Sequence, residues 1–318
     1  MINSKSTMLS IIIVNWNAGS QLAEAVASIA QYHHGLVASV IIVDNASTDN
    51  SIASGEALTG LPFPLHIIRN VENRGFGAAC NQGAAMASST YLLFLNPDTR
   101  LFENSLSVPL AYLQEPKNQD VGIVGIQLLD KQNHIARSCS RFPTFGIFAA
   151  QAVGLNRLPK FRHLTQTMVE WRHDSNRTVD QVIGAFLVIR RPIFESLGGF
   201  DERFFVYFEE VDLCFRTHQA GYRSVFLADA QAFHAGGGTS RQVKAHRLFY
   251  SLRSRLIYGF KHFRPWQAWF LVLITLSIES VTRTFFSLVG SGLEGVHNTW
   301  RAYGMLWRDM GSILEKRK

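Results

Sequence analysis

The octapeptide Tyr91–Asp98, YLLFLNPD, carries the pattern that decides the fold class. Its first five residues are apolar without a break, which is typical of a short strand buried on both faces. Pro97 cannot donate a ladder hydrogen bond, so we expect the strand to stop there and to place Asp98 at its carboxyl end. Open α/β sheets bind ligands at that edge, and a carboxylate there suits Mg²⁺ or Mn²⁺ holding a diphosphate. A strand followed by an Asn-Pro turn with a solvated aspartate explains the octapeptide equally well.

The composition describes a globular protein with an apolar region. The chain has 318 residues, of which 47% are hydrophobic and 17% charged, so it can bury a sizeable core. Its three cysteines, Cys80, Cys139 and Cys214, form no CxxC pair. This pattern fits a reducing compartment and provides no cysteine framework for a metal.

The positive charge is concentrated at the C-terminus. Residues 241–318 hold 13 Lys+Arg against 4 Asp+Glu, or +9, whereas the first 240 residues hold 31 − 13 = 18 against 24 − 4 = 20, or −2. Aromatic and leucine residues are interleaved with these charges. Such a tail favours an anionic membrane surface as partner over nucleic acid, which would require a basic surface on the folded domain as well.

The sequence predicts a tail that lies on a membrane or docks on the protein. We expect no secretory signal here, because the apolar run Leu9–Val14 is shorter than a signal peptide requires. The one membrane-length candidate, Trp266–Val289, is interrupted by Glu279 and Arg283. Its cleanest apolar run, Ala268–Ile278, falls well short of the roughly 20 residues that span a bilayer. We therefore expect an interfacial or docked segment that does not cross the membrane.

Strands and helices alternate through the first hundred residues. Apolar, β-branched runs predict strands, and apolar residues at a spacing of three or four predict helices. The predicted order is a strand at Leu9–Val14, a helix at Gln21–Gln31, strands at Ser39–Val43 and Leu65–Ile68, a helix that ends near Ser88, and the octapeptide strand. This alternation predicts a doubly wound, parallel α/β sheet.

Polar residues follow several of these strands and are expected to meet. Asn15, Asp44 and Asp98 should line one crevice, because parallel strands share one carboxyl edge. Asp44 can accept from a nucleotide base or a ribose hydroxyl. Backbone amides in Asn73–Gly77 can approach a phosphate. The Gly-x-Gly-x-x-Gly spacing is absent because Cys80 holds the third place, which counts against a dinucleotide-binding oxidoreductase.

The second half of the chain contains further strands and a less regular stretch. We expect a strand with an edge over residues 120–129, a hairpin turn at Asp130–Asn133 and a buried strand at Val179–Ile189. Gly184 inside the last strand permits close approach of a ligand or backbone. Residues 140–174 are rich in Arg, His, Phe and Pro, and we expect them to carry substrate loops.

The segment Gly198–Arg216 surrounds two adjacent carboxylates, Glu209 and Glu210, with aromatic residues. Carboxylates at a helix start are favoured by the helix dipole, which is one explanation. The other is that an apolar surrounding raises one carboxyl pKa and makes either residue a general base. His234 precedes a glycine run, where it can be structural, ligate a cation or bind a diphosphate.

The sequence resembles the family 2 glycosyltransferases with the GT-A fold, particularly their bacterial rhamnosyltransferase-like branch. The resemblance extends from about Leu9 to about Ser240. Seven strings carry it in the order usual for the family: IIIVNWN, IIVDNASTDNS, NRGFGAACNQG, LFLNPD, VIGAFLVIRR, GGFDERFFVYFEEVDLCFR and HAGGGTS. It implies a mixed, mostly parallel sheet flanked by helices, with residues 1–240 as catalytic domain (1–100 binding the nucleotide-sugar, 101–240 the acceptor) and 241–318 as a basic amphipathic helical tail.

The resemblance also implies roles for individual residues. The nucleotide-sugar donor is assigned Asn15, Asp44, Asn45, Asn73, Gly75, Asn81, Asn96 and Asp98. Asp98 and His234 would hold Mg²⁺ or Mn²⁺, although Asn96 replaces the first Asp of the family's Asp-x-Asp motif. Glu210, beside Glu209, would be the general base, and it stands where the family usually has Asp. Asp201 and Arg203 would shape the acceptor side.

The implied function is inverting transfer of a sugar in the synthesis of O-antigen or cell-wall glycan. The donor would be a dTDP- or UDP-sugar, best dTDP-rhamnose, and the acceptor a polyprenyl-diphosphate-linked saccharide at the cytoplasmic face of the bacterial inner membrane, where the enzyme is peripheral. One alternative is a UDP- or GDP-hexose or galactofuranose transferase with another acceptor, including protein. The alternative outside enzymes is a non-catalytic, sugar-nucleotide-binding scaffold.

Overall fold

A computed structural model describes residues 8–236 and 244–315. The glycine run that follows His234 lies, from residue 237 on, outside the described residues. The chain packs as two compact units, the first from Met1–Ser140, Trp171–Glu202 and Glu209–Thr239 and the second from Arg141–Glu170, Arg203–Phe208 and Ser240–Lys318. These are packing units, and the functional division at residue 240 stays a prediction.

The first unit is built on a mixed sheet with strand order β3-β2-β1-β4-β10-β6-β11-β5, and β8 pairs with β11. β7 and β9 form a separate small sheet. The strands are β1 Leu9–Asn15, β2 Val37–Asp44, β3 Leu65–Arg69, β4 Tyr91–Leu95, β5 Thr99–Leu101, β6 Val121–Leu129, β7 Cys139–Ser140, β8 Arg177–Val179, β9 Gln181–Val182, β10 Phe186–Arg190 and β11 Arg223–His234.

The helices are α1 Gln21–His33, α2 Ser51–Glu56, α3 Phe76–Ala85, α4 Ser107–Gln114, α5 Phe145–Ala152, α6 Arg191–Ser196, α7 Glu209–Gln219, α8 Lys244–His262, α9 Pro265–Ile274 and α10 Ser280–Glu315. α5, α8, α9 and α10 belong to the second unit. In α1 the predicted apolar positions Leu22, Ala25, Val26 and Ile29 are all buried. Their spacing therefore reports the face that packs on the sheet.

The octapeptide forms the strand that its sequence predicts. Every residue of β4 is buried, as expected for a strand covered on both faces. β4 lies parallel to β1, with Ile13 opposite Leu95, and β1 lies parallel to β2, with Asn15 opposite Asp44. The carboxyl ends of β1, β2 and β4 thus share one edge of the sheet.

Two predicted strands differ from the structure. The single strand expected at Val179–Ile189 is wrong, because the chain leaves β9 at Val182 and starts β10 only at Phe186. The intervening peptide groups bond elsewhere, with Ile183 N donating to Ser138 O and Asn96 N to Ala185 O. The strand over 120–129 is interior and has no edge position, because β6 lies between β10 and β11.

In the second unit, residues expected to be irregular contain α5 and two 3₁₀ turns at Leu155–Arg157 and Pro159–Leu164. α5 packs on α9, with the Phe145 ring 5.7 Å from Trp266 and 5.9 Å from Phe270 between centroids. These ring contacts help to hold α5 against the tail.

The tail forms one helical stretch, Pro265–Glu315, that is long and apolar enough to cross a membrane by length and composition, a criterion that core helices also meet. A π-helical turn, Thr275–Glu279, connects α9 to α10. The stretch is not straight, because Gly292 has φ 63°. Ser287 Oγ lies 2.9 Å from Thr299 Oγ1, whereas twelve residues of straight helix would separate them by about 18 Å. Residues 280–291 and 293–315 therefore form an antiparallel helical hairpin.

Candidate active site

A hydrogen-bonded network occupies the edge where β1 and β2 end. The Asn15 amide donates to Asp44 Oδ1 at 2.8 Å, to Ser47 Oγ at 3.0 Å and to Ser51 Oγ at 2.9 Å. Asn15 is fully buried and Asp44 is 6% exposed. Asn15 thus fixes the orientation of the Asp44 carboxylate, and its own amide nitrogen is already occupied.

Asn45 links this edge to the loop before α3. Its amide donates to Asn73 Oδ1 at 2.8 Å and to Gly75 O at 3.1 Å, and its oxygen accepts from Arg74 N at 3.0 Å. Gly75 has φ 86°, a conformation that glycine adopts without strain and that turns the chain into α3. Asn45 and Asn73 therefore hold the loop in shape and present the amino-terminal end of α3.

Asn81 acts on the other side of α3. Its amide donates to Phe200 O at 2.9 Å and Glu202 Oε1 at 3.0 Å, and its oxygen accepts from Phe200 N. A side chain at Gly199 would approach Asn81 Oδ1 to 2.6 Å. The structure thus uses Asn81 to fasten the loop that leads towards the acidic pair.

Asp98 and His234 lie next to each other. β11 pairs antiparallel with β5, which places His234 opposite Thr99, and Ala235 N donates to Asp98 O. His234 Nε2 is 3.3 Å from Asp98 Oδ1, and the two side chains are only 13% and 10% exposed. Asn96, which takes the place of the first Asp of the motif, donates its backbone amide to Ala185 O.

The donor set fits a divalent cation only in part. Within residues 8–236 and 244–315, no group of three or more His, Cys, Asp or Glu side chains is arranged to hold a metal. Asp98 and His234 provide two converging ligands, one of them a hard oxygen. Mg²⁺ and Mn²⁺ are commonly bound by one or two protein groups together with substrate phosphates, so two ligands suffice for a cation that arrives with a diphosphate.

The acidic pair opens α7, with Glu209 buried and Glu210 half-buried. Burial raises the pKa of Glu209 well above its usual value, with a further contribution from the charge of Glu210. Burial also raises the pKa of Glu210. The Oε2 atoms of both residues have no hydrogen-bond partner among the described residues. Favourable interaction with the helix dipole would lower these pKa values, so burial is the stronger effect.

Gly184 brings Glu210 close to the end of β4. A β-carbon at Gly184 would lie 3.7 Å from Glu210 Cβ, so the carboxylate arm passes directly over this glycine. The next residue, Ala185, accepts from Asn96 N, and Phe186 pairs with Leu95. Glu210 and the Asn96–Asp98 segment therefore flank the same short stretch of backbone.

The sequence patterns described above do not predict two further residues near the acidic pair. Asp212 is fully buried and accepts from Arg216 Nε at 2.7 Å, and Arg216 also donates to the carbonyls of Leu197 and Gly199. Their spacing predicts the pair, because oppositely charged side chains four residues apart on a helix are neighbours. It joins α7 to the preceding loop and so fixes the helix that carries Glu210.

The two residues assigned to the acceptor side fall in different packing units. The Asp201 carbonyl lies 3.8 Å from where a β-carbon at Gly77 would be, in the first unit. The Arg203 carbonyl accepts from Arg253 Nη1 at 3.0 Å, in the second unit. Their acceptor role stays a prediction.

The sequence model described as "Glycosyl transferase family 2" matches residues 10–198. The chain belongs to glycosyl transferase family 2. It is therefore an enzyme that transfers a glycosyl group, and the alternatives of an oxidoreductase and a non-catalytic scaffold fall away.

Curated relatives of this family 2 glycosyltransferase include rhamnosyltransferases. It is 27% identical over 274 residues to the N-acetylglucosaminyl-diphospho-decaprenol L-rhamnosyltransferase of Mycobacterium tuberculosis, covering 82% of this chain and 87% of that one. It is 26% identical over 175 residues to the rhamnosyltransferase WbbL of Escherichia coli, covering 54% and 62% of the two chains. The predicted resemblance to a rhamnosyltransferase-like branch is confirmed.

Solved structures with the same fold are glycosyltransferases. The mannosyltransferase PcManGT from Pyrobaculum calidifontis, solved with GDP-Man and Mn²⁺, has a TM-score of 0.56 at 16% identity and covers 97% of this chain and 85% of that one. TarS 1-349 of S. aureus, solved with UDP-GlcNAc, has a TM-score of 0.56 at 15% identity, with 98% and 82% covered. The predicted GT-A fold, a mixed and mostly parallel sheet flanked by helices, is confirmed.

Proposed function

We propose that this enzyme transfers L-rhamnose from dTDP-rhamnose to a polyprenyl-diphosphate-linked saccharide, with inversion at the anomeric carbon. The observation that carries the proposal is that Glu210 lies beside Gly184, the neighbour of Ala185, whose carbonyl accepts from Asn96 N two residues before Asp98. Asp98 in turn lies 3.3 Å from His234. The relatives support the choice of sugar and acceptor, since the mycobacterial protein is named for rhamnosyl transfer to a decaprenyl-diphosphate-linked N-acetylglucosamine.

The donor nucleotide binds in this proposal along the edge formed by β1 and β2. Asp44, held by the Asn15 amide, accepts from the ring N–H of the pyrimidine. Asn45 and Asn73 keep the Arg74–Gly75 turn in the shape that lets amides at the start of α3 face the diphosphate. Helix amino termini favour anions, and α3 is long enough for that effect. Asn81, also on α3, bonds the loop at Phe200 and Glu202 to this helix.

Asp98 and His234 would hold Mg²⁺ or Mn²⁺ against the diphosphate. When bound, the cation neutralises charge that develops on the leaving nucleoside diphosphate. The position of the two side chains, 3.3 Å apart and mostly buried, supports this role because neither is free to turn into solvent. Asn96 contributes its backbone amide to the β10 junction and so fixes the segment that carries Asp98.

Glu210 takes the proton from the acceptor hydroxyl as that oxygen attacks the anomeric carbon. Its raised pKa suits a base that must accept a proton near neutral pH. Burial also raises the pKa of the neighbouring Glu209, and the charge of Glu210 adds to that rise. Asp201 and Arg203 would contact the acceptor sugar. The acceptor lipid places the enzyme at the cytoplasmic face of the bacterial inner membrane as a peripheral protein that contacts anionic lipid.

Donor depletion across a panel of nucleotide-sugars tests this proposal. The purified enzyme is incubated with a polyprenyl-diphosphate-linked N-acetylglucosamine and each of dTDP-rhamnose, UDP-galactofuranose, UDP-glucose and GDP-mannose, with and without Mn²⁺. We expect turnover with dTDP-rhamnose and a dependence on the cation. Turnover with a UDP- or GDP-hexose alone would instead support the alternative of a hexosyl or galactofuranosyl transferase.

A further inference from the structure

One face of the tail is apolar, exposed and free of charge. Between Pro265 and Ser291 the exposed large side chains include Trp266, Phe270, Leu273, Val281, Phe285 and Leu288. Most are separated by three or four residues, or by two turns, so they share one side of the helix. Val281 is 67% exposed and Phe285 is 61% exposed. A contiguous apolar stripe of this length is unusual on a surface that faces water only.

The opposite face of the same helix is fixed to α8 by buried charge. Glu279 and Arg283 are the only charged residues in 265–291, and Arg283 Nε donates to Glu279 Oε1 at 2.8 Å. Arg255 on α8 donates to the same Glu279 oxygen at 3.0 Å and to Thr275 Oγ1 at 2.9 Å. Of the two charges that interrupt the apolar sequence, Glu279 is thus buried and paired, and Arg283, with 38% of its side chain exposed, bonds back to it.

A basic rim, residues 157–162, comes from a distant part of the sequence and packs against the same helix at Phe286, which follows Phe285 of the stripe in sequence. The guanidinium carbon of Arg157 lies 3.8 Å from the centroid of the Phe286 ring. Lys160 and Arg162 follow in the 3₁₀ turn Pro159–Leu164 and are exposed. Exposed Leu158 lies between them and Arg157. The segment from 153 to 164 contains no acidic residue, so its charged side chains are all basic.

We infer that the stripe and this rim form one surface that lies in the plane of an anionic phospholipid bilayer. An apolar face with Lys and Arg beside it fits lipid acyl chains next to anionic headgroups, because the basic side chains are attracted to the negative surface. The tryptophans Trp266 and Trp269 suit the interfacial depth. The assignment rests on the proposed function for its membrane-bound acceptor and adds the side chains that meet the lipid.

The same contacts exclude a spanning helix. Residues 265–291 would be about 40 Å long, enough to cross a bilayer. Crossing would also carry the inner face of the helix into the hydrocarbon, however, and that face holds Glu279 bonded to Arg255 of α8. Moving α8 into the hydrocarbon together with this face would bury its further charged residues, including Lys244 and Arg247. Residues 265–291 therefore contact lipid with one face of the helix only.

Vesicle binding by the full-length protein tests the surface without any donor or acceptor. We expect binding to phosphatidylcholine vesicles that contain phosphatidylglycerol to be weakened about tenfold or more by V281D on the stripe and by the double change K160E/R162E on the rim. The matched controls lie in the first unit: V71D, at a fully exposed valine, and K131E/R137E, at two exposed basic residues. Both controls should bind as the wild type does.

Each other outcome would overturn the assignment. Equal binding of all variants, equal binding to pure phosphatidylcholine, or loss of a dimer in V281D without any vesicle binding would each contradict it. Should V281D fail to fold, K160E/R162E still decides, since those side chains are exposed. If the protein did not bind the vesicles but still transferred sugar to a water-soluble acceptor analogue, only the membrane surface would be refuted. The proposed function would stand.

A cysteine at the hairpin turn tests the in-plane arrangement. The three native cysteines are buried, so S291C next to Gly292 introduces one accessible thiol. The protein is added to preformed vesicles that contain a membrane-impermeant maleimide only in the lumen. We expect no labelling, because a helix lying in the outer leaflet does not deliver the turn to the lumen. Labelling from inside would show that the hairpin crosses and would overturn the assignment.

Discussion

His234 Nε2 lies 3.3 Å from Asp98 Oδ1, although Asp98 follows the fourth strand of the chain and His234 ends the eleventh. The antiparallel pairing of β5 with β11 brings them together. Taken alone, Asp98 can be explained as part of a turn and His234 as a structural histidine. Their contact at the carboxyl edge of the sheet makes a two-ligand site the more specific explanation.

Replacing either ligand should remove the response to a divalent cation. We expect D98A and H234A to lower turnover by about 100-fold or more and to abolish the rise in melting temperature that dTDP produces with Mn²⁺. H134A is the matched control, because His134 also faces an aspartate, Asp130, at 3.8 Å but on an exposed turn. An Mn²⁺-dependent shift that persists in both D98A and H234A would contradict the assignment.

If Glu210 is the general base, its replacement should lower kcat, and its pKa should set the acid limb of the pH profile. E210Q should lower kcat by about 100-fold or more, while the affinity for dTDP stays as in the wild type. Because burial raises the pKa of Glu210 above the usual 4.5 and the base must be ionised, the acid limb of kcat/KM should lie above that value. E195Q, at an exposed ion pair on α6, serves as control. An acid limb at or below the usual value would be inconsistent with Glu210 as the base.

Glu209 should make the protein less stable as the pH rises. Burial raises its pKa in the folded state, so the folded protein binds more protons than the unfolded chain between the two pKa values. The free energy of unfolding then falls as pH rises through this window. E209Q removes the titration, and we expect its melting temperature to exceed that of the wild type at alkaline pH and to change less with pH. Parallel pH profiles for the two proteins would refute this.

Asn15 should affect donor affinity through Asp44. N15A removes the donor of three hydrogen bonds, including the 2.8 Å bond to Asp44, and should cost about 1–3 kcal/mol of stability. We expect a raised KM for the nucleotide-sugar with a smaller change in kcat, because Asn15 is distant from the transferred group in the proposal. N50A, at an asparagine that makes no capping hydrogen bond, should leave KM unchanged. A reduced kcat at unchanged KM would argue for a different role.

The carboxyl-edge residues could be predicted from the sequence because they follow strands that are recognisable one at a time. Asn15 and Asp44 are opposite each other in register, as parallel strands require. The position of Asp98 followed from Pro97 ending an apolar run. In each case a local pattern, combined with one rule about parallel sheets, determines the position.

Contacts between distant segments could not be predicted in this way. Gly184 lies under Glu210 because the chain breaks between β9 and β10, and the apolar sequence VDQVIGAFLVI does not show that break. The fold-back at Gly292 depends on one glycine with positive φ inside a helical pattern. Arg157 meets Phe286 although the two residues are far apart in the sequence. Each of these depends on tertiary packing that a one-dimensional pattern does not encode.

The most direct test of the catalytic account separates donor binding from transfer in two variants. Titration of dTDP with Mn²⁺ and a single-turnover assay with dTDP-rhamnose and the lipid-linked acceptor are carried out on the wild type, D98A and E210Q. The account predicts that E210Q binds the nucleotide as the wild type does but fails to transfer, whereas D98A loses the Mn²⁺-dependent binding. Transfer by E210Q at the wild-type rate would contradict it.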